Sequence, residues 1–250
     1  MTTLVEKFNL NWITPESIEK TREQLVKIKE SKFVDDFYRT DSFVSKTSDL
    51  LTQLYLIGRD TETKTELLNF PSVVENKFFG DWQKTCLYDG VIAPNKWHGI
   101  LSWYDDIRAL CMWCSAMSDW KNISKCLRFF DEEVEEGKAG NMGRAFYIAL
   151  RYHFEECFDK RDSYFENILS GRSKKYREIV ETFKAIIGDN AESVLKGWSS
   201  VFKLWKQKES GVYLLLAPES TFLYYFAEKN GISIPLKDDQ YDHIIHFTKK

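Results

Sequence analysis

Glycine and proline are scarce in this chain, with 12 and 5 in 250 residues. An all-β protein needs turn-forming residues every ~8–12 positions, so the shortage argues against a sandwich or barrel and favours long helices. Cysteine is sparse and unpaired in number. Cys86, Cys111, Cys114, Cys126 and Cys157 are odd in count and irregular in spacing, which does not make a disulfide framework. Histidine occurs four times. No GxGxxG, GxxxxGK[ST] or GxSxG motif occurs, so nothing marks a dinucleotide site, a P-loop or a nucleophile elbow. No apolar run approaches the ~18–20 residues that span a bilayer. Met1 to Asn11 lack the basic and apolar regions of a signal peptide. A net charge of −3 is too small to steer nucleic acid. These absences lead to the expectation of a reduced, soluble, cytoplasmic protein with neither a membrane nor a nucleic-acid partner.

What is present is aromatic and helix-patterned. The chain holds 18 Phe, 12 Tyr and 8 Trp, with 43% hydrophobic and 29% charged residues, enough apolar content for a large core. Thr14 is placed to cap a helix that opens with Pro15, whose missing N–H costs nothing at the first position. Asp41 is placed to cap a second, ending near Gly58. A third runs from Thr61 towards Phe79 with a break or kink at Pro71. Turns at Asp89-Gly90 and Ala93-Pro94 precede a long helix capped by Asn95, and Ser118 or Asp119 restarts another through about Val134. Gly137 to Gly143 reads as a loop. Helical patterns then cover about 145–158, 162–169, 173–187, 190–207 and 218–229, the last stopping at Asn230-Gly231. Ile232 to Phe247 reads as extended.

The expected fold is therefore all-α, with nine to eleven helices in antiparallel pairs. They form a bundle or solenoid-like domain over 1–250, with possible lobes at 1–94 and 95–250 and a short extended C-terminal tail. Any strand is expected in the last 40 residues.

Charge is unevenly spread. Ile100–Ser170 carries 13 acids against 9 bases, and Gly171–Lys208 carries 9 bases against 4 acids. The sharpest feature is Asp131, Glu132, Glu133, Glu135 and Glu136, five acids in six residues. They fall at a predicted helix C-terminus, where negative charge opposes the helix dipole. Folding alone does not explain them, whereas a surface that meets a basic partner does. Asp105, Asp106 and Asp119 extend that candidate surface, and Trp103 and Trp120 are candidate apolar anchors. The basic run Arg172 to Arg177 reads as a solvated first helical turn.

The remaining constellations lack the partners that chemistry needs. Cys111 and Cys114 have CxxC spacing but no second ligand pair, and they lie within a predicted helix, so they read as core. His243 and His246 have no intervening Glu, and His153 with Glu156 has no second copy of its spacing. No metal, cofactor or catalytic residue is assigned. Asp105 or Asp106 with Glu155 or Glu156 keeps open a helical hydrolase with an aromatic and carboxylate pocket. A helical-repeat scaffold that binds peptides is also open.

The C-terminal third carries a further pattern. Trp198 and Trp205 lie on a penultimate helix. Leu214 to Pro218 leads into Glu219-Ser220-Thr221-Phe222-Leu223-Tyr224-Tyr225-Phe226-Ala227, then Asn230-Gly231-Ile232 and a tail with Tyr241 and Ile244-Ile245. This resembles the ending of the large all-helical immunity proteins encoded beside bacterial polymorphic toxins. The Trp97–Trp120 region with the acidic stretch after it is compatible with the same families. The resemblance implies a non-enzymatic protein that binds a cognate, basic toxin domain and occludes its active site or substrate groove.

Overall fold

The computed structural model describes residues 4–30, 36–73, 87–88, 91–92, 104–127, 142–208 and 215–247. The fold is all-α, with twelve helices and one pair of two-residue strands among these residues. The excess over the expected number comes from two single-turn helices, α1 (Leu4–Lys7) and α12 (Asp238–Tyr241). The chain divides into two compact units, the first running through Asp106 and the second from Ile107 to Phe247 among the described residues.

In the first unit, α2 (Pro15–Glu30) packs on α3 (Asp36–Leu56), and α3 on α4 (Asp60–Val73). The start of α2 is held as its sequence indicates. The Ser17 N–H donates to Thr14 Oγ1 at 3.2 Å, and the Thr14 N–H donates back to Ser17 Oγ at 3.0 Å, so two donors at the helix start find acceptors. Ile18 and Leu25, two turns apart, bury one face of α2, and Leu50, Leu51 and Leu54 of α3 are buried in the same unit. Thr21 donates to Gln53 between the two helices at 3.2 Å, and Arg22 reaches Glu62 of α4 at 2.7 Å. Asp41 lies inside α3, not at its cap, because the helix already begins at Asp36. Pro71 sits in the last turn of α4. The described strands are β1 (Leu87–Tyr88) and β2 (Val91–Ile92), an antiparallel pair with Leu87 opposite Ile92. The strand expected in the last 40 residues is therefore misplaced. Ile232–Phe247 forms none, and α12 interrupts its extended course.

The second unit contains most of α5 (Tyr104–Ala116), then α6 (Trp120–Leu127), α7 (Met142–Phe154), α8 (Phe158–Ser170), α9 (Lys174–Ile187), α10 (Ala191–Lys208) and α11 (Pro218–Lys229). Helix α7 takes in the last two residues of the expected 137–143 loop, with Gly143 buried in its first turn. Helices α7 and α8 pack together, as do α8 and α9, α9 and α10, and α10 and α11. Three-residue connections at 155–157, 171–173 and 188–190 make successive packed helices run antiparallel.

Helix α11 lies at the centre. Every residue from Pro218 to Leu223 is buried. Phe183 of α9 stacks on Phe226 at 4.7 Å, and Phe146 of α7 meets Phe222 edge-on at 6.5 Å. Trp198 of α10 is buried and donates its indole N–H to the Ser220 carbonyl at 2.8 Å, which satisfies the one polar group of a ring otherwise committed to the core. Gly197 permits the close approach of α9 and α10, since a Cβ there would lie 2.2 Å from Thr182 Oγ1.

The tail closes over this core. The Ala217 N–H donates to the His243 carbonyl at 2.9 Å, His243 Nδ1 donates to the Leu215 carbonyl at 2.7 Å, and the Tyr225 hydroxyl donates to the Ile245 carbonyl at 2.6 Å. Ile244 and Ile245 are fully buried.

Candidate functional site

Helix α5 ends in a left-handed residue, Ser118, with φ 55°. The chain then turns into α6 through Asp119. One Asp119 carboxylate oxygen accepts the Asn122 backbone N–H at 3.2 Å, and the other accepts the Asn122 side-chain amide at 2.6 Å. Asp119 is thus an N-cap as well as an acid, and it fixes where Trp120 begins the helix. Trp120 is half-buried. Its ring stacks on Phe154 at the end of α7, with centroids 6.4 Å apart and planes 25° apart, and meets Phe222 and Phe226 of α11 edge-on at 6.3 and 5.8 Å. Trp120 and the likewise half-buried Phe154 therefore make an aromatic shelf whose base is the core. The Lys229 ammonium, at the end of α11, lies 4.9 Å from the Trp120 centroid.

Beside the shelf, His153 is surrounded by Phe154, Phe158, Phe183 and Phe226. Its Nδ1 lies 3.2 Å from Arg161 Nη1. A guanidinium only donates, so Nδ1 accepts and the ring proton sits on Nε2. Burial first, then the charges of Arg161 and Lys229, lower its pKa to about 4, so the imidazole is neutral at neutral pH. Arg161 also pairs with Asp162 at 2.8 Å and lies over the Phe158 ring at 4.8 Å.

The α7–α8 corner follows directly. Glu155 pairs with Arg151 at 3.3 Å, and Glu156 takes a left-handed backbone with φ 59°. Phe158 remains 47% exposed. Residues Glu156 to Lys160 line an open depression of about 370 Å³.

Of the residues singled out in the sequence, Asp119 and Trp120 thus stand together, and the fold adds Phe154 and Lys229 to them. Glu156 is exposed two residues beyond Phe154. Asp105 and Asp106 lie in the first turn of α5, with side chains outside the described residues. Trp103, Asp131, Glu132, Glu133, Glu135 and Glu136 also lie outside them.

Cys111 and Cys114 are buried in α5, and burial pushes the Cys111 thiol well up, as for core cysteines rather than nucleophiles. His243 is tied to the Leu215 carbonyl, while His246 stacks on Tyr241 at 4.1 Å. Among the described residues no three His, Cys, Asp or Glu side chains gather as metal ligands would. No described helix is long and apolar enough to cross a membrane.

A buried ionic cluster escapes the sequence reading. The Arg108 guanidinium engages Glu219. Nη2 donates to Oε2 at 3.0 Å, and Nε approaches Oε1 at 2.7 Å. Lys175 Nζ lies 3.3 Å from the same carboxylate. The side chains of Arg108, Lys175 and Glu219 are 4%, 8% and 2% exposed. Lys175 is therefore not part of a solvated first turn, although Arg172, Lys174 and Arg177 are exposed. Burial raises the Glu219 carboxyl, but Arg108 and then Lys175 outweigh it and hold the pKa below its usual 4.5. No sequence signal points to this cluster, because Arg108 and Glu219 lie 111 positions apart. The chain matches no protein-family model, no curated protein and no solved structure.

Proposed function

We propose that this protein is an immunity protein that acts in the cytoplasm, binding a basic toxin domain and occluding its active site or substrate groove. The observation that carries the reading is the Trp120 shelf. Trp113, Trp198 and Trp205 are spent on the core, whereas Trp120 is half-buried beside Asp119, and the more exposed Trp12 lies in the first unit. Interfaces draw most of their affinity from a few such aromatic anchors, while acids set the rate and specificity of encounter. The run Asp131, Glu132, Glu133, Glu135 and Glu136 supplies acids in excess of any folding need, and Asp105 and Asp106 add to them. The C-terminal resemblance supports the same assignment.

The test is protection of cells from the toxin encoded beside this protein, with binding measured at low and moderate salt. Reversal of Glu132, Glu133 and Glu136 to Lys is expected to slow association and weaken binding by about 2 kcal/mol or more where these charges are desolvated. Stability should change little, since exposed acids contribute little to it. Undiminished protection and equally tight binding at low salt would remove the acidic stretch from the interface and turn attention to the exposed bases Arg172, Lys174 and Arg177. The absence of any neighbouring toxin that the native protein binds would refute the assignment itself.

A further inference from the structure

Lys229 is exposed, yet its ammonium is not simply in water. It lies 4.9 Å from the centroid of Trp120, 5.6 Å from Phe154 and 5.9 Å from Phe226. Several aromatic faces around one ammonium is the arrangement by which proteins recognise lysine and quaternary ammonium groups, through attraction between the cation and the negative ring faces. Among the described residues no carboxylate pairs with Lys229, so the rings are what its charge meets.

The shelf does not depend on Lys229 for its position. Trp120 is set by the Asp119 cap and by its edge contacts with Phe222 and Phe226, both fully buried. Lys229 is the last residue of α11, followed by exposed Asn230 and left-handed Gly231 with φ 82°. An exposed side chain at a helix end can leave the rings without disturbing the core.

We infer that the Trp120–Phe154 shelf is a recognition site for a lysine side chain of a partner, kept filled by Lys229 in the free protein. The occupant is indicated by what already sits there, an alkylammonium group. Asp119 caps the helix that Trp120 opens, and Glu156 is exposed two residues beyond Phe154, while the Arg161 cation beside His153 is held by Asp162 at 2.8 Å. The inference rests on the proposed basic partner and names where one of its lysines is received. On binding, the incoming ammonium replaces that of Lys229, which moves into solvent.

The test uses the full chain and n-butylammonium, which carries the four-carbon stem of lysine, at constant ionic strength, with n-butanol as the neutral control. Binding is followed by NMR of the tryptophan indole N–H signals. Lys229→Ala should bind butylammonium two- to fivefold more tightly than the native protein, the factor carried by one exposed cation–π contact. Trp120→Leu should abolish the saturable shift. Phe154→Leu, a milder change in a half-exposed ring, should weaken it and serves if the first variant does not fold. Equal affinity of native protein and Lys229→Ala, or equal shifts with butanol, would overturn the site. No toxin enters this experiment, so its failure is separable from failure of the immunity assignment. A chain that binds butylammonium as described but protects no cell loses the assignment and keeps the site. A chain that protects but shows no ammonium preference keeps the assignment and loses the site.

Discussion

Replacing Glu219 with Gln removes one charge and almost no volume, and it should be among the most destabilising isosteric changes in the second unit. Its carboxylate sits between the Arg108 guanidinium at 2.7 Å and the Lys175 ammonium at 3.3 Å, with all three side chains nearly dry. Buried ion pairs often add little net stability when formed, because desolvation offsets attraction, but removing one partner leaves a buried charge uncompensated at a cost of about 3–5 kcal/mol. Among the described residues the cluster joins two cations to one carboxylate, so Glu219→Gln removes the anion that both approach. The expected loss lies within that range. Urea denaturation followed by tryptophan fluorescence measures it, since Trp198 donates to the residue next to Glu219. A second substitution, Lys175→Met, should cost less in the Glu219→Gln background than in the native one, because it then removes a repelling charge. The pH dependence follows from the depressed carboxyl pKa. A carboxylate whose folded pKa lies below its unfolded value contributes stability above the unfolded value, near 4.5, and loses it as pH falls through the folded value. Glu219→Gln should therefore flatten the acid limb below pH 4.5. A loss under ~1 kcal/mol, or strict additivity with Lys175→Met, would refute this account of the cluster.

Two further outcomes follow from the core and its titrating groups. Gly197→Ala, normally favourable inside a helix by about 1 kcal/mol, should instead destabilise by about 1–3 kcal/mol, because the new Cβ would meet Thr182 Oγ1 at 2.2 Å. A rise in melting temperature would show that α9 and α10 can part freely. His153 and His246, each with a pKa lowered to about 4 by burial in the folded state, contribute stability above the unfolded value of 6.5 that is lost as pH falls towards 4. His153→Gln should therefore reduce the slope of stability against pH in that window by at most ~1.4 kcal/mol per unit, less with the partial exposure of the ring. An unchanged slope would show that His153 charges freely in the folded protein.

Local chemistry makes part of this fold legible in the amino-acid sequence. Thr14 with Pro15, Pro218 and Asn230-Gly231 mark real helix ends, because caps and stops act within a few residues of themselves. The start of α3 is not legible in the same way, because Asp41 has the chemistry of a cap, yet the helix begins at Asp36. The site is legible only in part. Trp120 stands out as a candidate anchor, but eight Trp residues look alike in a sequence. What separates Trp120 from Trp113, Trp198 and Trp205 is how far helices from elsewhere in the chain cover each ring. Lys229, Phe154 and His153 join the site only because α7 and α11 end beside the start of α6, a long-range arrangement that no local pattern encodes.

The buried charges are illegible for a deeper reason, and α11 shows it. Pro218-Glu219-Ser220-Thr221 is the polar first turn of a helix, yet all four residues are buried. A helix start carries unsatisfied N–H groups and the positive end of the dipole, so its burial calls for acceptors, and a carboxylate there is favourable. Glu219 is that group. Its carboxylate stands in the first turn, and a backbone hydrogen bond at Glu219 helps hold it ionised. Once dry, that charge in turn needs cations, which Arg108 and Lys175 bring from α5 and α9. The central helix starts inside the core, and the carboxylate that accompanies it there is met by cations from helices distant in the sequence.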